Sequence, residues 1–273
     1  MQTILVPTDF SDSAKNAMHY AASLAKKFNA SIILLHAYMM PTPVSEVPYL
    51  MVNVEEMQKE NERLAAEAAQ AMQSGFGIKA TAIVRLGFPS EEIEAIVEDQ
   101  PIDLVVMGMK GQGTLEKLMG STTTSTIKKI DIPIIVVPYN AQYQDIRQVT
   151  YATDFSYKTG FRVYQPMLRL VEAFGATLQI VHVQKSVSET KSREVAGEIQ
   201  LDPAFKSVPH HYHTITDTDV KHGIKSFLED HKTDLLVMVT HEHNFLERLF
   251  GRSQTTSMVQ DTHIPLLILK DKK

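Results

Sequence analysis

The sequence contains no cysteine. That excludes disulfides, thiolate nucleophiles, Fe–S clusters and cysteine-type zinc sites, and it fits a reducing compartment such as the cytoplasm. No apolar run approaches the ~20 residues that a membrane-crossing helix needs. The first fifteen residues, MQTILVPTDFSDSAK, lack a basic region and a small-residue cleavage site, so they read as a first strand and not as a signal peptide. Positive charge is also scarce: 27 Lys and Arg stand against 32 Asp and Glu, a net charge of -5. A generally basic nucleic-acid binder is excluded, because its affinity would come from neutralising phosphates. What is present is ordinary globular material, 44% hydrophobic and 22% charged over 273 residues. That length carries a prior of about two domains.

The two domains are copies of one another. Thr8-Asp9-Phe10-Ser11 recurs as Thr153-Asp154-Phe155-Ser156, and Phe28-Asn29-Ala30-Ser31 as Phe174-Gly175-Ala176-Thr177. His36 matches His182, Asp103–Met107 matches Asp234–Met238, and Ile132-Pro133 matches Ile264-Pro265. Matches in the same order along both halves define a tandem duplication. The offset falls from 146 to 131 between His36 and Asp103, so the second copy is 15 residues shorter there. The polar stretch NAQYQDIR, residues 140–147, reads as the linker, which places the domains at 1–141 and 147–273. Residues 1–145 carry 11 basic and 17 acidic side chains, net -6; the remainder carries 16 and 15, net +1.

Within the first copy, residues 2–7, 31–36, 103–107 and 134–137 are short apolar runs of the kind that form buried strands, and 79–86 alternates like an edge strand. Between them lie helical patterns. Ser11 or Asp12 caps a helix whose apolar positions run from Ala14 to Phe28 at three- and four-residue spacing, and 54–73, 90–99 and 121–129 continue the series. This predicts an α/β fold of two tandem open, mostly parallel five-stranded sheets with helices on both faces. In such sheets ligands sit beyond the carboxyl ends of the strands, where strand order reverses. The second copy is weaker. Its first helix, about 157–174, contains Gly160 and an interior Pro166, which costs roughly 3 kcal/mol, and its polar segment 186–207 is expected to be partly irregular.

The chemistry concentrates in residues 107–124, MGMKGQGTLEKLMGSTTT. Gly108, Gly111 and Gly113 allow close approach of backbone N–H groups to a ligand, and Lys110 adds charge. Gly120-Ser121-Thr122 then opens a helix whose free N–H groups suit an anion. The alternative is that these glycines serve only turns and a helix cap. Gly108-x4-Gly113 is followed by Thr114-Leu115 and not by the Lys-Ser/Thr of a Walker loop, and Glu116 stands where a dinucleotide fingerprint needs its third glycine.

The chain resembles the universal stress protein family. The resemblance rests on Val6-Pro7-Thr8-Asp9 closing the first strand and on a G-x2-G-x9-G-[S/T] motif after the fourth. Gly108-x2-Gly111 and Gly120-Ser121 match it, with the spacer 112–119 one residue short. It spans both halves and implies the Rossmann-like fold of that family with an adenine-nucleotide site, for ATP or AMP, and possible accompanying Mg²⁺. Pro7, Thr8 and Asp9 would lie near adenine and ribose, Ala37 beside the base, and Met107, Gly108, Gly111, Gly120, Ser121 and Thr122 along ribose and phosphates. Asp9 has a plainer alternative, capping the first helix together with Ser11.

The second copy departs from the motif: Val239, Glu242 and Asn244 replace Gly108, Gly111 and Gly113, and only Gly251 and Asp154 persist. It is therefore expected to act as a partner domain that completes a pseudo-dimer, and the family resemblance implies that 134–137 pairs against 266–269 and that whole chains form a homodimer. The functional expectation is a cytoplasmic stress-response regulator with one nucleotide site in the first domain and an unnamed protein partner downstream. Slow ATP hydrolysis and a nucleotide-free scaffold are the alternatives. No catalytic residue and no metal ligand is assigned. His210-His211-x-His213 and His241-x-His243 have the alternate spacing of a shared metal, yet the first set aligns with an edge strand where exposed polar residues belong. Clustered histidines of this kind also suit a pH response. His36 and His182 read as structural residues. The segment 41–73 is expected to fold over the nucleotide as a cover.

Overall fold

The computed structural model describes residues 1–40, 53–109, 121–153, 155, 159–184, 203–240 and 263–271, excepting the Ser121 side chain. Thr3–Pro7 (β1) leads into Asp12–Phe28 (α1), which returns to Ser31–Tyr38 (β2). Ser11 caps α1 by accepting from the Ala14 N–H at 3.4 Å, and Asn29 ends it in the left-handed region. The buried side of α1 is rich in alanine (Ala14, Ala17, Ala21, Ala22, Ala25), so the helix axis approaches the sheet closely. Val54–Phe76 (α2), Lys79–Leu86 (β3), Pro89–Asp99 (α3), Leu104–Met109 (β4), Ser121–Lys129 (α4) and Ile134–Pro138 (β5) complete the first copy.

The second copy retraces this path with Gln148–Thr153 (β6), Phe161–Phe174 (α5), Thr177–Gln184 (β7), His210–Thr216 (β8), Val220–Asp230 (α6), Leu235–Thr240 (β9) and Leu266–Lys270 (β10). The α/β fold with mostly parallel strands is as the sequence implies, and the two five-stranded arrays join edge to edge. They form one ten-stranded sheet in the order β3-β2-β1-β4-β5-β10-β9-β6-β7-β8. All neighbours are parallel except β5 and β10, which pair antiparallel through Ile135 and Leu267. Each array reverses its strand order beside its first strand, between β1 and β4 and between β6 and β9.

Two apolar layers cover the sheet. One gathers side chains of α1, α2 and α5, and the other those of α3, α4 and α6. At the seam Phe28 meets Phe174 edge-on at 6.2 Å, and Lys27 lies 4.9 Å over the Phe174 ring. Matching carboxylates brace the strand starts. Asp103 accepts from the Gln2 and Thr3 N–H groups at 2.6 and 3.0 Å, and Asp234 from those of Arg147 and Gln148 at 2.8 and 2.9 Å.

Two expectations change. Helix α2 is not a cover: Ala65, Ala69 and Met72 bury it against the sheet, and residues 41–52 of the expected segment lie outside the described residues. Helix α5 forms despite Pro166, but it begins at Phe161 after an uncapped Gly160 and is three residues shorter than α1, 14 against 17. Buried Tyr164, Met167, Leu168, Leu170 and Val171 offset the hydrogen bond that the proline removes. Within the segment expected to be irregular, Phe205 is fully buried between Tyr151 and Tyr164, at 6.1 and 5.0 Å; residues 185–202 are outside the description.

Candidate functional site

The first reversal of strand order holds a cavity of about 210 Å³ at the carboxyl end of the sheet. Three strands and three helices converge on it. The β1 end supplies Pro7, Thr8 and Asp9; β2 supplies Leu35 and Ala37; β4 supplies Met107 and Gly108. The first turns of three helices supply Ser13, Ala14, Pro89, Thr122 and Thr123. Of the residues that the sequence nominates, Pro7, Thr8, Asp9, Ala37, Met107, Gly108 and Thr122 thus meet around one space. Lys110, Gly111, Gly113 and Gly120 lie outside the described residues, and Ser121 is placed only as the first residue of α4.

Sequence reasoning missed Ser13, Ala14, Leu35, Pro89 and Thr123. In a doubly wound sheet every helix that follows a strand starts at the carboxyl edge, so the helix-start positions of Ser13, Ala14, Pro89 and Thr123 were a usable signal, while Leu35 lies on β2 two residues before Ala37.

The turn after β1 is heavily cross-linked. The Thr8 N–H donates to the Leu35 carbonyl at 2.8 Å, and Thr8 Oγ1 accepts from the Phe10 N–H at 3.0 Å. This holds Phe10 at φ 58°, with its ring 4.6 Å from that of His36. The His36 Nδ1–H donates to the Thr8 carbonyl at 2.9 Å. The second copy repeats the unit: Phe155 has φ 56°, and His182 Nδ1–H donates to the Thr153 carbonyl at 3.0 Å. Both histidines are therefore structural, as expected. Asp9 Oδ1 accepts from both the N–H and the hydroxyl of Ser11, the residue that caps α1. The capping alternative for Asp9 thus holds at one remove, while its exposed carboxylate also lines the cavity.

Gly108 has a packing reason for being glycine. A Cβ built there would strike the Ser13 carbonyl group, with the Ser13 carbonyl carbon 2.8 Å away. The equivalent residue of the second copy is the buried Val239, and there the helix opposite starts three residues late. Val183 stands at the position of Ala37 and packs into the space left by Gly223, whose Cβ would lie 2.7 Å from Val183 Cγ1. Two valines therefore occupy in the second copy the positions that line the cavity in the first.

The cavity lining combines apolar Leu35, Ala37 and Pro89 with hydroxyl-bearing Ser13, Thr122 and Thr123. Among the described lining residues there is no cation. An anion in it would meet backbone N–H groups at the start of α4, whose dipole end is worth about 0.3–2 kcal/mol. A planar apolar ring suits the apolar part of the lining.

The model of the universal stress protein family matches residues 1–138 and again 145–270. The chain belongs to the universal stress protein family. A universal stress protein of Methanocaldococcus jannaschii is 33% identical over 150 residues, covering 49% of this chain and 93% of its own length. One from Synechocystis is 24% identical over 300 residues, covering 99% of this chain and all of its own, so the tandem arrangement recurs in that universal stress protein relative. The crystal structure of a universal stress protein from Archaeoglobus fulgidus superposes with a TM-score of 0.75 over 98% of both chains at 22% identity, a likeness of fold. Among the described residues of this universal stress protein, no helix is long and apolar enough to cross a membrane, and no group of three or more His, Asp or Glu side chains is arranged to hold a metal ion.

Proposed function

We propose that the first domain, residues 1–141, binds an adenine nucleotide, ATP or AMP, and that the chain acts through binding as a cytoplasmic stress-response regulator. The observation that carries this reading is the cavity itself, which unites residues from β1, β2, β4 and α4 at the first reversal of strand order. In this reading the apolar lining takes a base beside Ala37, Thr8, Asp9 and Gly108 face a ribose, and the start of α4 faces phosphates. Lys110, Gly111, Gly113, Gly120 and Ser121, nominated from the sequence, would contact the phosphates, and Mg²⁺ would accompany a triphosphate. The second domain, 147–273, is a partner with its own crevice filled by Val183 and Val239, so one nucleotide binds per chain. Whole chains pair as homodimers and pass the bound state to a protein partner.

Mass spectrometry of the purified protein after denaturation should release an adenine nucleotide, and calorimetry should give one site per chain. Ala37→Val, which copies Val183, should weaken binding at least tenfold. Absence of any released nucleotide, together with no heat on titration with millimolar ATP or AMP, would overturn the reading.

A further inference from the structure

Helix α4 links the cavity to the seam between the two copies. It starts with Thr122 and Thr123 on the cavity and ends, nine residues long, beside the last strand of the second copy. Its first six residues are Ser121, Thr122, Thr123, Thr124, Ser125 and Thr126. Threonine and serine are poor helix formers, because β-branching and local hydrogen bonding compete with the helix. Such a helix depends on support from outside.

Part of that support is local. Ile127 is buried, and Lys129 reaches α3 to pair with Glu94 at 2.9 Å. The rest comes from the other copy. Lys270, at the end of β10, donates from Nζ to the Lys128 carbonyl at 3.0 Å and lies 3.6 Å from the Asp131 carboxylate. Its side chain is only 17% exposed. The Lys128 carbonyl belongs to the last turn of α4, where carbonyls lack partners within the helix and a cation is favoured.

The arrangement is one-sided. β5 and β10 are matching strands of the two copies, Ile134–Pro138 and Leu266–Lys270, and the residue of β5 that corresponds to Lys270 is Pro138. Proline carries neither charge nor N–H. The second copy therefore sends a lysine to the phosphate-end helix of the first, from a position where the first copy has Pro138. The recipient is the copy that retains the glycine motif.

We infer that Lys270 is a positioning residue for the nucleotide site of the first copy: it holds α4 helical so that the N–H groups at Thr122 and Thr123 stay aimed at phosphate. The inference rests on the proposed nucleotide reading of that cavity. Direct attraction between Lys270 and a phosphate is not the cause. The helix separates them by about 13 Å at 1.5 Å per residue, beyond a Debye length of about 8 Å. The effect passes through the order of the helix. It also gives the degenerate copy a role in the site that it does not itself possess.

The test compares the full chain with Lys270→Met, Lys270→Gln and Lys270→Arg, using ATP and adenosine as calorimetric probes and hydrogen exchange across α4. Lys270→Met should weaken ATP about three- to tenfold, the range of a charge at a helix end, and leave adenosine unchanged. Amides of α4 should exchange several-fold faster in the same variant. Lys270→Gln, which keeps a donor without charge, should lie between, and Lys270→Arg should restore both readouts. Unchanged α4 exchange in Lys270→Met and Lys270→Gln overturns the inference, as does an equal loss of ATP and adenosine. Failure of the unaltered chain to bind either probe rejects the nucleotide reading alone, and the exchange comparison still decides the role of Lys270.

Discussion

Gly108 on β4 and Ser13 on α1 touch backbone to backbone: the space that a Cβ on Gly108 would fill is taken by the Ser13 carbonyl group. A glycine attributed to ligand approach is thus also a packing residue, and its replacement in the second copy coincides with a shortened helix. Gly108→Val, which recreates Val239, should push the first turn of α1 off the sheet. The expected cost is about 1–3 kcal/mol, the range for an overpacked core. Urea unfolding should show it, and hydrogen exchange should localise the loosening to residues 11–15. A variant as stable as the parent, with unchanged exchange there, would contradict the packing account.

His36 and Thr8 make a second such pair. The bonds to the Thr8 and Thr153 carbonyls require a proton on Nδ1, and nitrogen NMR should find one there for both His36 and His182. His36→Phe keeps a ring against Phe10 but leaves a buried carbonyl without its donor. It should cost about 1–3 kcal/mol and loosen the turn that carries Asp9. A His36 ring without a proton on Nδ1 would sink this assignment.

Two histidines of the second copy should respond to acid in opposite directions. His222 is held above its ordinary value of 6.5, first by its hydrogen bond to Asp217, and Asp217 is held below 3.8, chiefly by the same bond. The His222 contribution is fully present below pH 6.5 and fades as pH rises through the elevated folded value. The Asp217 contribution is present above 3.8 and is lost as pH falls through its depressed folded value. The pair therefore stabilises most between these two limits. His213 is held below 6.5 by burial first, then by His231 and His211, so the folded state resists its protonation. Its effect is to lower stability as pH falls from 6.5 through the depressed folded value. Melting temperature against pH should thus lose its acid-side support in His222→Gln and gain some in His213→Gln. Identical profiles for both variants would contradict the assignment.

Among the described residues, Phe205 and Val208 cover in the second copy the layer that α2 covers in the first. Phe205 is fully buried against Tyr151 and Tyr164, where the first copy uses Ala65, Ala69 and Met72 from a 23-residue helix. Phe205→Ala should cost about 3–5 kcal/mol by leaving a cavity. The corresponding Met72→Ala should cost less, because neighbouring helix residues keep the layer covered. Equal midpoints in denaturant for the two variants would show that the layer does not hang on one ring.

What the sequence alone determined is what local pattern and self-similarity encode. The duplication, the alternation of strand and helix and the capped start of α1 are legible because strand and helix periods are properties of adjacent residues, whereas Pro7, Thr8, Asp9, Ala37, Met107, Gly108 and Thr122 were nominated through the family resemblance that the glycine motif carries. Contacts between distant residues are not encoded that way. That α2 lies on the sheet and not over the cavity, that Ser13 explains Gly108, that Pro89 and Thr123 share the lining, and that Lys270 reaches α4 follow from how helices and strands stack in three dimensions. The seam is the clearest case. The family resemblance implies that β5 and β10 pair, but only the antiparallel sense of that pairing brings a lysine from the end of one copy to the functional helix of the other.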